Sequence, residues 1–260
     1  MANYNFDRVS DQYDATRGFP PGVSERIARW VLSRLPHDPA LLELGVGTGR
    51  IAVPFIEMGA RYTGFDISEQ MLTRLTEKVG GDLRRARVMV HDLHQPFPLP
   101  DESQDAVIAV HILHLVDAVT VLGHVRRVLK PGGVLVWGYD SAVEPNPHKM
   151  VADRFHVEAE ATGYQKADRH VKVGRDLLAQ WGTVVTQHTP VAWTEEYVVR
   201  AHLEQLRNRV FSSTWNMTDE QLTAALDRTE AWALETFGDL DQPRICERRF
   251  VIDWYVIGGT

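Results

Sequence analysis

The chain has 260 residues, a length that suits one larger domain or one domain carrying a sizeable insertion. Its hydrophobic content of 44% and charged content of 24% are typical of globular proteins, and no apolar stretch approaches the ~20 residues of a membrane-spanning helix. The net charge of −7 disfavours a nucleic-acid substrate, and the single cysteine excludes both an intramolecular disulfide and zinc sites built on cysteine clusters.

Short apolar segments alternate with amphipathic helical patterns from about residue 24 to 193. This alternation is typical of a parallel sheet with helices on both faces. The predicted strands are Leu41–Leu44, Tyr62–Phe65, Val88–His91, Ala106–Val110, Val134–Tyr139 and Thr183–Trp193, followed by a late strand at Arg248–Val256.

Several helix boundaries can be predicted from capping residues. Ser24 and Ser68 each precede an amphipathic pattern and are expected to cap a helix. Asn146 and Pro147 are the cap and first residue of another helix, which is predicted to end at Gly163.

After residue 193 the alternation stops, and two helical patterns occupy roughly residues 195–237. The second begins at Thr218 with Gln221 three residues later, the spacing of a capping box. We therefore predict an N-terminal arm and helix (1–36), a core (37–193), an inserted helical cap (194–243) and a final core strand (244–260).

A glycine-rich turn follows the first predicted strand. Glu43 is followed by Gly45, Gly47 and Gly49 at alternate positions, and such glycines let a backbone approach a ligand closely. The dinucleotide fingerprint is G-x-G-x-x-G, whereas Arg50 stands where its third glycine would fall. The turn alone leaves a nicotinamide cofactor and S-adenosylmethionine (SAM) as alternatives.

Acidic residues end the next two predicted strands. Asp66 lies about 20 residues beyond the glycines, where a carboxylate can accept hydrogen bonds from ribose hydroxyls; a helix cap or a surface acid is the alternative. Asp92 ends the third strand in the same way and could accept a hydrogen bond from an adenine amino group.

Five segments occur in an order and at a spacing that together make a family signature. They are Glu43–Gly49, Gly64–Ser68, His91-Asp92 with Pro98–Ser103, Asp105–Val110 and Leu129–Gly133. With these segments the chain resembles the class I SAM-dependent methyltransferases, the broad family that includes the ubiquinone and menaquinone C-methyltransferases. The resemblance implies an α/β fold: a Rossmann-like, doubly wound, mostly parallel seven-stranded sheet with an antiparallel last strand.

The resemblance also implies how the cofactor is held. Gly45 and Gly47 would border its methionine part, Asp66 its ribose, and Asp92 with Leu93 its adenine. Tyr13, in a segment similar to the lead-in that folds over SAM in relatives, would cover it, unless that segment is a solvated arm. The other expected cofactor residues are Glu43, Val46, Thr48, Gly49, Ile67, Met71, Val110 and His111.

The expected reaction is an in-line methyl transfer from SAM, with S-adenosylhomocysteine (SAH) as product. His111 directly follows the fourth strand, where a sheet of this kind faces its ligands, and is the first candidate for a base that removes a proton from the acceptor; a pocket wall is its alternative role. His114 is a second candidate, with packing as its alternative role.

We expect a small or medium organic acceptor between the sheet edge and the cap, with the acceptor atom (O, N or C) left open. Near the cap, arginines could meet an anionic group and aromatic side chains a flat acceptor body, although cap packing explains the aromatics equally well. These residues are Arg207, Arg209, Phe211, Trp215 and Trp232.

The N-terminus lacks the layout of a signal peptide, so we expect a cytoplasmic protein with no membrane partner, no nucleic-acid partner and no metal site. Whether it is a monomer or a homodimer stays open. Two alternatives remain: a non-enzymatic SAM- or SAH-binding protein and, less favoured, a nicotinamide-dependent oxidoreductase.

Overall fold

The computed structural model describes residues 18–165 and 169–257. Within these ranges, seven strands form one sheet in the order β3-β2-β1-β4-β5-β7-β6. Pairing is parallel from β3 through β5 and antiparallel among the last strands, which confirms the predicted fold class. The strands are β1 Ala40–Leu44, β2 Arg61–Asp66, β3 Ala86–Val90, β4 Gln104–Val110, β5 Leu129–Ala142, β6 Val184–Tyr197 and β7 Arg244–Val256.

Helices of about two to five turns connect most of these strands. None in the described ranges is long and apolar enough to cross a membrane. The α-helices are α1 Val23–Leu32, α2 Ala52–Glu57, α3 Glu69–Lys78, α4 Ala118–Val128, α5 Pro147–Ala161, α6 Arg169–Gln180, α7 Val199–Arg207 and α8 Asp219–Phe237.

Three of the predicted caps are confirmed. The Ser68 hydroxyl accepts the Met71 N–H at 3.1 Å, Asn146 caps α5, and Thr218 forms a reciprocal capping box with Gln221. The Ser24 cap is wrong, because α1 begins at Val23 and its N-cap is Gly22, whose φ of 79° lies in the left-handed region. Ser24 therefore lies inside the first turn.

The chain divides into two compact units. The described residues of the first are 18–139, 169–191 and 250–257, and those of the second are 140–165 and 192–249. The second unit is larger than the predicted cap because α5 belongs to it: Val151 and Phe155 share a buried core with Leu222 and Leu226 of α8, and with Cys246. The sequence predicts the apolar face of α5, but it does not predict the helix against which this face packs.

The register of the first unit aligns the carboxyl ends of four strands. Leu44, the last residue of β1, pairs with Phe65 of β2 and Ala109 of β4, while Asp66 pairs with Val90 at the end of β3. The segments that follow β1, β2, β3 and β4 therefore lie at one edge of the sheet, which is where open α/β sheets bind ligands.

Candidate cofactor site

The glycine-rich loop after β1 is held in a conformation that favours glycine. Gly45, Gly47 and Gly49 have φ values of 66°, 55° and 88°, a region that costs other residues strain. The loop is fastened to the sheet where the Val46 N–H donates to the Phe65 carbonyl at 3.0 Å. Gly64 makes room for this contact, because a Cβ there would lie 2.6 Å from Cγ1 of Val46.

The three loop glycines have different surroundings. A Cβ at Gly45 would lie 2.8 Å from Cδ1 of Ile112, and one at Gly49 would lie 2.8 Å from Cγ2 of Val53. At Gly47, by contrast, a Cβ would meet no atom of the described residues within 4 Å. Gly45 and Gly49 are thus required by packing within the protein, whereas the backbone at Gly47 borders open space that a ligand can fill.

Asp66 is fixed beside this loop by two backbone donors. Its Oδ2 accepts the Gly47 N–H at 2.8 Å and its Oδ1 accepts the Ser68 N–H at 2.9 Å. A carboxylate accepts hydrogen bonds at both oxygens, and ribose hydroxyls are donors of the kind that it accepts. A carboxylate held next to an open glycine backbone fits the ribose of a nucleoside cofactor.

Glu43 is placed beneath the loop rather than at its surface. Its side chain is buried and accepts a hydrogen bond from the Tyr62 hydroxyl. Burial raises the pKa of Glu43 well above its usual value, Arg50 opposes this rise in pKa, and Asp66 adds to it. Tyr62 is a partner that the sequence analysis missed, since nothing in the spacing of the two residues marks it.

Asp92 lies just beyond β3, in the segment that follows this strand. Its Oδ1 accepts both the backbone N–H of His94, at 3.0 Å, and the Nδ1 of the same histidine, at 2.8 Å. The backbone N–H of His94 is the first cause that lowers the pKa of Asp92, and burial opposes it. The neighbouring Leu93 side chain is buried. Asp92 therefore presents an ionised carboxylate on the same sheet edge as Asp66.

His111 has an unusual backbone. It directly follows β4 and has a φ of 52°, in the left-handed region that non-glycine residues rarely adopt, and its N–H lies 3.4 Å from the Gly138 carbonyl. Strained residues of this kind cluster at functional sites. Val110, which precedes it in β4, is buried, and His114 is half-buried in the turn before α4.

The remaining residues predicted for the cofactor site are spread between core and surface. Thr48 is buried, and its carbonyl accepts Nζ of Lys78 at 2.8 Å, a contact that the sequence analysis missed. Ile67 is 44% exposed, whereas Met71 is 2% exposed and packs in the interior. Tyr13 lies outside the described residues.

The arginines predicted to meet an anionic acceptor are paired with carboxylates of the second unit. Arg207 lies 3.2 Å from Glu230, and Arg209 lies 2.7 Å from Asp219. Phe211 packs at 5.3 Å from the ring of His202. Across residues 18–165 and 169–257, no group of three or more His, Cys, Asp or Glu side chains could hold a metal ion.

Comparison with known proteins links this geometry to one chemistry. Residues 42–137 match a family model described as a methyltransferase domain. The demethylmenaquinone methyltransferase of Clavibacter sepedonicus is 29% identical over 198 residues, which are 68% of this chain and 78% of that protein. The chain spans about half the length of most curated relatives that it matches, within a range of 40% to 78%.

Two solved structures share the fold. The YcgJ protein of Bacillus subtilis is 14% identical with a TM-score of 0.58, and the match covers 91% of this chain and 99% of that one. Phosphoethanolamine N-methyltransferase 2 of Haemonchus contortus, solved with phosphomonomethylethanolamine and SAH, is 18% identical with a TM-score of 0.51 and matches over 98% of this chain and 59% of its own. At these identities the likeness concerns the fold.

Proposed function

We propose that the chain is a class I SAM-dependent methyltransferase that transfers a methyl group from SAM to a small or medium organic acceptor, in line with the methyltransferase-domain match and the methyltransferase relatives. The observation that carries the proposal is the bond from the Gly47 N–H to the Asp66 carboxylate, with open space above Gly47. This arrangement joins a backbone that a ligand can approach to an acceptor for ribose hydroxyls.

In this proposal, different residues bind different parts of SAM. Asp66 accepts hydrogen bonds from the ribose hydroxyls, and Asp92 accepts one from the adenine amino group, with Leu93 against the base. Gly47 allows close approach of the methionine part. Val46, Thr48, Gly49 and Val110 support these contacts from the core, whereas Glu43 and Met71 act from beneath the site because their side chains are buried.

When bound, SAM supplies an electrophilic methyl group on a positively charged sulfur. The protein has to align the acceptor atom with that methyl group and keep water away, and alignment alone can lower a barrier by about 7–11 kcal/mol. An acceptor that must lose a proton also needs a base.

His111 is the base in this proposal. Its left-handed backbone turns the chain sharply at the end of β4, on the same sheet edge as Asp66 and Asp92. An imidazole can accept a proton near neutral pH. His114, three residues further along the turn, is the second candidate. If the acceptor needs no base, His111 contributes a wall of the acceptor site instead.

The acceptor class is supported by the relatives. The demethylmenaquinone methyltransferase of C. sepedonicus and the phosphoethanolamine enzyme of H. contortus are named for small organic acceptors. The pairing of Arg207 with Glu230 and of Arg209 with Asp219 reduces the case for a strongly anionic acceptor at those residues.

The first experiment is calorimetric titration of the purified protein with SAH, with NAD and NADP in parallel. Saturable SAH binding without nicotinamide binding supports the proposal, and the reverse result overturns it. Transfer of a radiolabelled methyl group from SAM is then measured on hydroquinones, phenols and amines. Cofactor binding without transfer to any acceptor favours the alternative, a non-enzymatic SAM- or SAH-binding protein.

The same transfer assay tests His111. The matched control for His111→Ala is His37→Ala, since His37 is an exposed histidine outside the site. The proposal requires that only the His111 variant lose activity. Equal activity of both variants excludes His111 as the base.

A further inference from the structure

His94 has two hydrogen bonds that together fix its tautomer. The backbone N–H of Asp117 donates to Nε2 of His94 at 3.2 Å. Since Nε2 accepts this bond, the ring proton of the neutral imidazole is on Nδ1. That proton lies between Nδ1 and Oδ1 of Asp92, which are 2.8 Å apart.

The same contacts leave one oxygen of Asp92 for a ligand. The backbone N–H and the Nδ1–H of His94 both donate to Oδ1. Among the described residues, no hydrogen bond reaches Oδ2, and the Asp92 side chain is 42% exposed. His94 therefore holds the carboxylate by one oxygen and keeps the other available.

The N-terminal end of α4 holds the His94 imidazole in place. Asp117, its donor, is the N-cap of α4, and the Asp117 side chain accepts the Val119 N–H and the Thr120 hydroxyl. The imidazole is thus held from α4 on one side and bonded to Asp92 on the other.

We propose that His94 is a positioning residue that orients Asp92 toward the 6-amino group of adenine and so determines the selectivity of the site for adenine over a 6-oxopurine. The inference rests on the proposed function, because it assumes a SAM site at this sheet edge. An amino group donates to Oδ2, whereas the carbonyl oxygen of a 6-oxopurine is repelled by it. Discrimination therefore requires that the carboxylate be held in one orientation.

The test compares SAH with S-inosylhomocysteine, in which a carbonyl oxygen replaces the 6-amino group. Both affinities are measured by calorimetry for the wild type, His94→Ala, His94→Asn and His124→Ala. The quantity of interest is the ratio of the two affinities within one variant, since it does not depend on the fraction of that variant that is folded.

We expect His94→Ala to lower the preference for SAH by about tenfold or more, the size of one lost hydrogen bond to a charged group. His94→Asn keeps an N–H donor near the position of Nδ1 and is expected to restore the wild-type preference. Of His94, the Nε2 of His124 contacts only the backbone carbonyl, at 3.5 Å, and it is hydrogen-bonded neither to the His94 imidazole nor to Asp92, so His124→Ala is expected to leave the preference unchanged.

Two results overturn the inference: an unchanged preference in His94→Ala, which includes equal losses of affinity for both ligands, or no recovery of the preference in His94→Asn. If the wild type fails to bind SAH, the proposed function falls and the inference falls with it. A wild type that binds SAH together with a His94→Ala variant of unchanged preference refutes the inference alone.

Discussion

Alanine at Gly47 separates the requirement of the fold for glycine from that of the cofactor. With a φ of 55° the new residue is strained, and a left-handed non-glycine residue costs about 1–2 kcal/mol, partly offset by the lower entropy of the unfolded chain. No described atom lies within 4 Å of the new methyl group, so packing adds no further cost. We expect stability to fall by about 1 kcal/mol, and the melting temperature by about 2–4 °C.

The effect on cofactor binding is expected to be larger. The methyl group enters the space that the proposal gives to SAM, and overpacking of this kind costs about 2 kcal/mol, or roughly 30-fold in the Kd for SAH. The matched control is Gly80→Ala, since Gly80 has a φ of 65° and an equally open surrounding but follows α3, away from the site. Thermal unfolding and SAH titration are measured for both variants. Equal SAH affinity in the two variants would refute the reasoning.

Three further predictions concern individual side chains. Asp66→Ala is expected to weaken SAH binding by about 1–3 kcal/mol in calorimetry, because charge-assisted hydrogen bonds to ribose are lost; unchanged affinity would remove Asp66 from the site. His111→Ala and His111→Gly should both lower methyl transfer about 100-fold or more, while SAH affinity changes little. In urea unfolding, His111→Gly should be about 1 kcal/mol more stable than the wild type, because glycine relieves the strain of the left-handed backbone. Burial lowers the pKa of His202 from 6.5 to about 3, so the neutral buried form stabilises the fold fully above pH 6.5, and this contribution falls on acidification, by about 2 kcal/mol at pH 5. Urea unfolding at pH 7 and pH 5 should therefore show a smaller loss of stability in His202→Phe than in the wild type. Equal losses of stability would contradict the assignment of this pH dependence to His202.

The features that sequence alone predicted are local ones. The strand that ends at Leu44, the cap at Ser68 and the capping box of Thr218 with Gln221 each depend on residues within a few positions of one another. Glycines at alternate positions likewise predict a tight turn, and all three have positive φ. Features of this kind can be predicted without knowledge of the tertiary structure.

The features that sequence missed depend on distant partners. The pairing of Tyr62 with Glu43 follows from the alignment of β1 and β2, and the bond of His94 to the Asp117 N–H joins residues 23 positions apart. Ser24 has the side chain of a capping residue, but Gly22 occupies the N-cap position, so the helix begins before Ser24. Helix α6 was not predicted, and no residue spacing shows that α5 packs against α8.

The burial of Cys246 provides a probe of local opening. It is the only cysteine of the chain, its side chain is 1% exposed in the core of the second unit, and burial is the main cause that raises the pKa of its thiol. A thiol reagent therefore reacts only after that core opens, and in the limit of fast reclosing the labelling rate measures the free energy of opening. Labelling over a range of acceptor concentrations would then report, without any catalytic turnover, whether an acceptor stabilises the second unit.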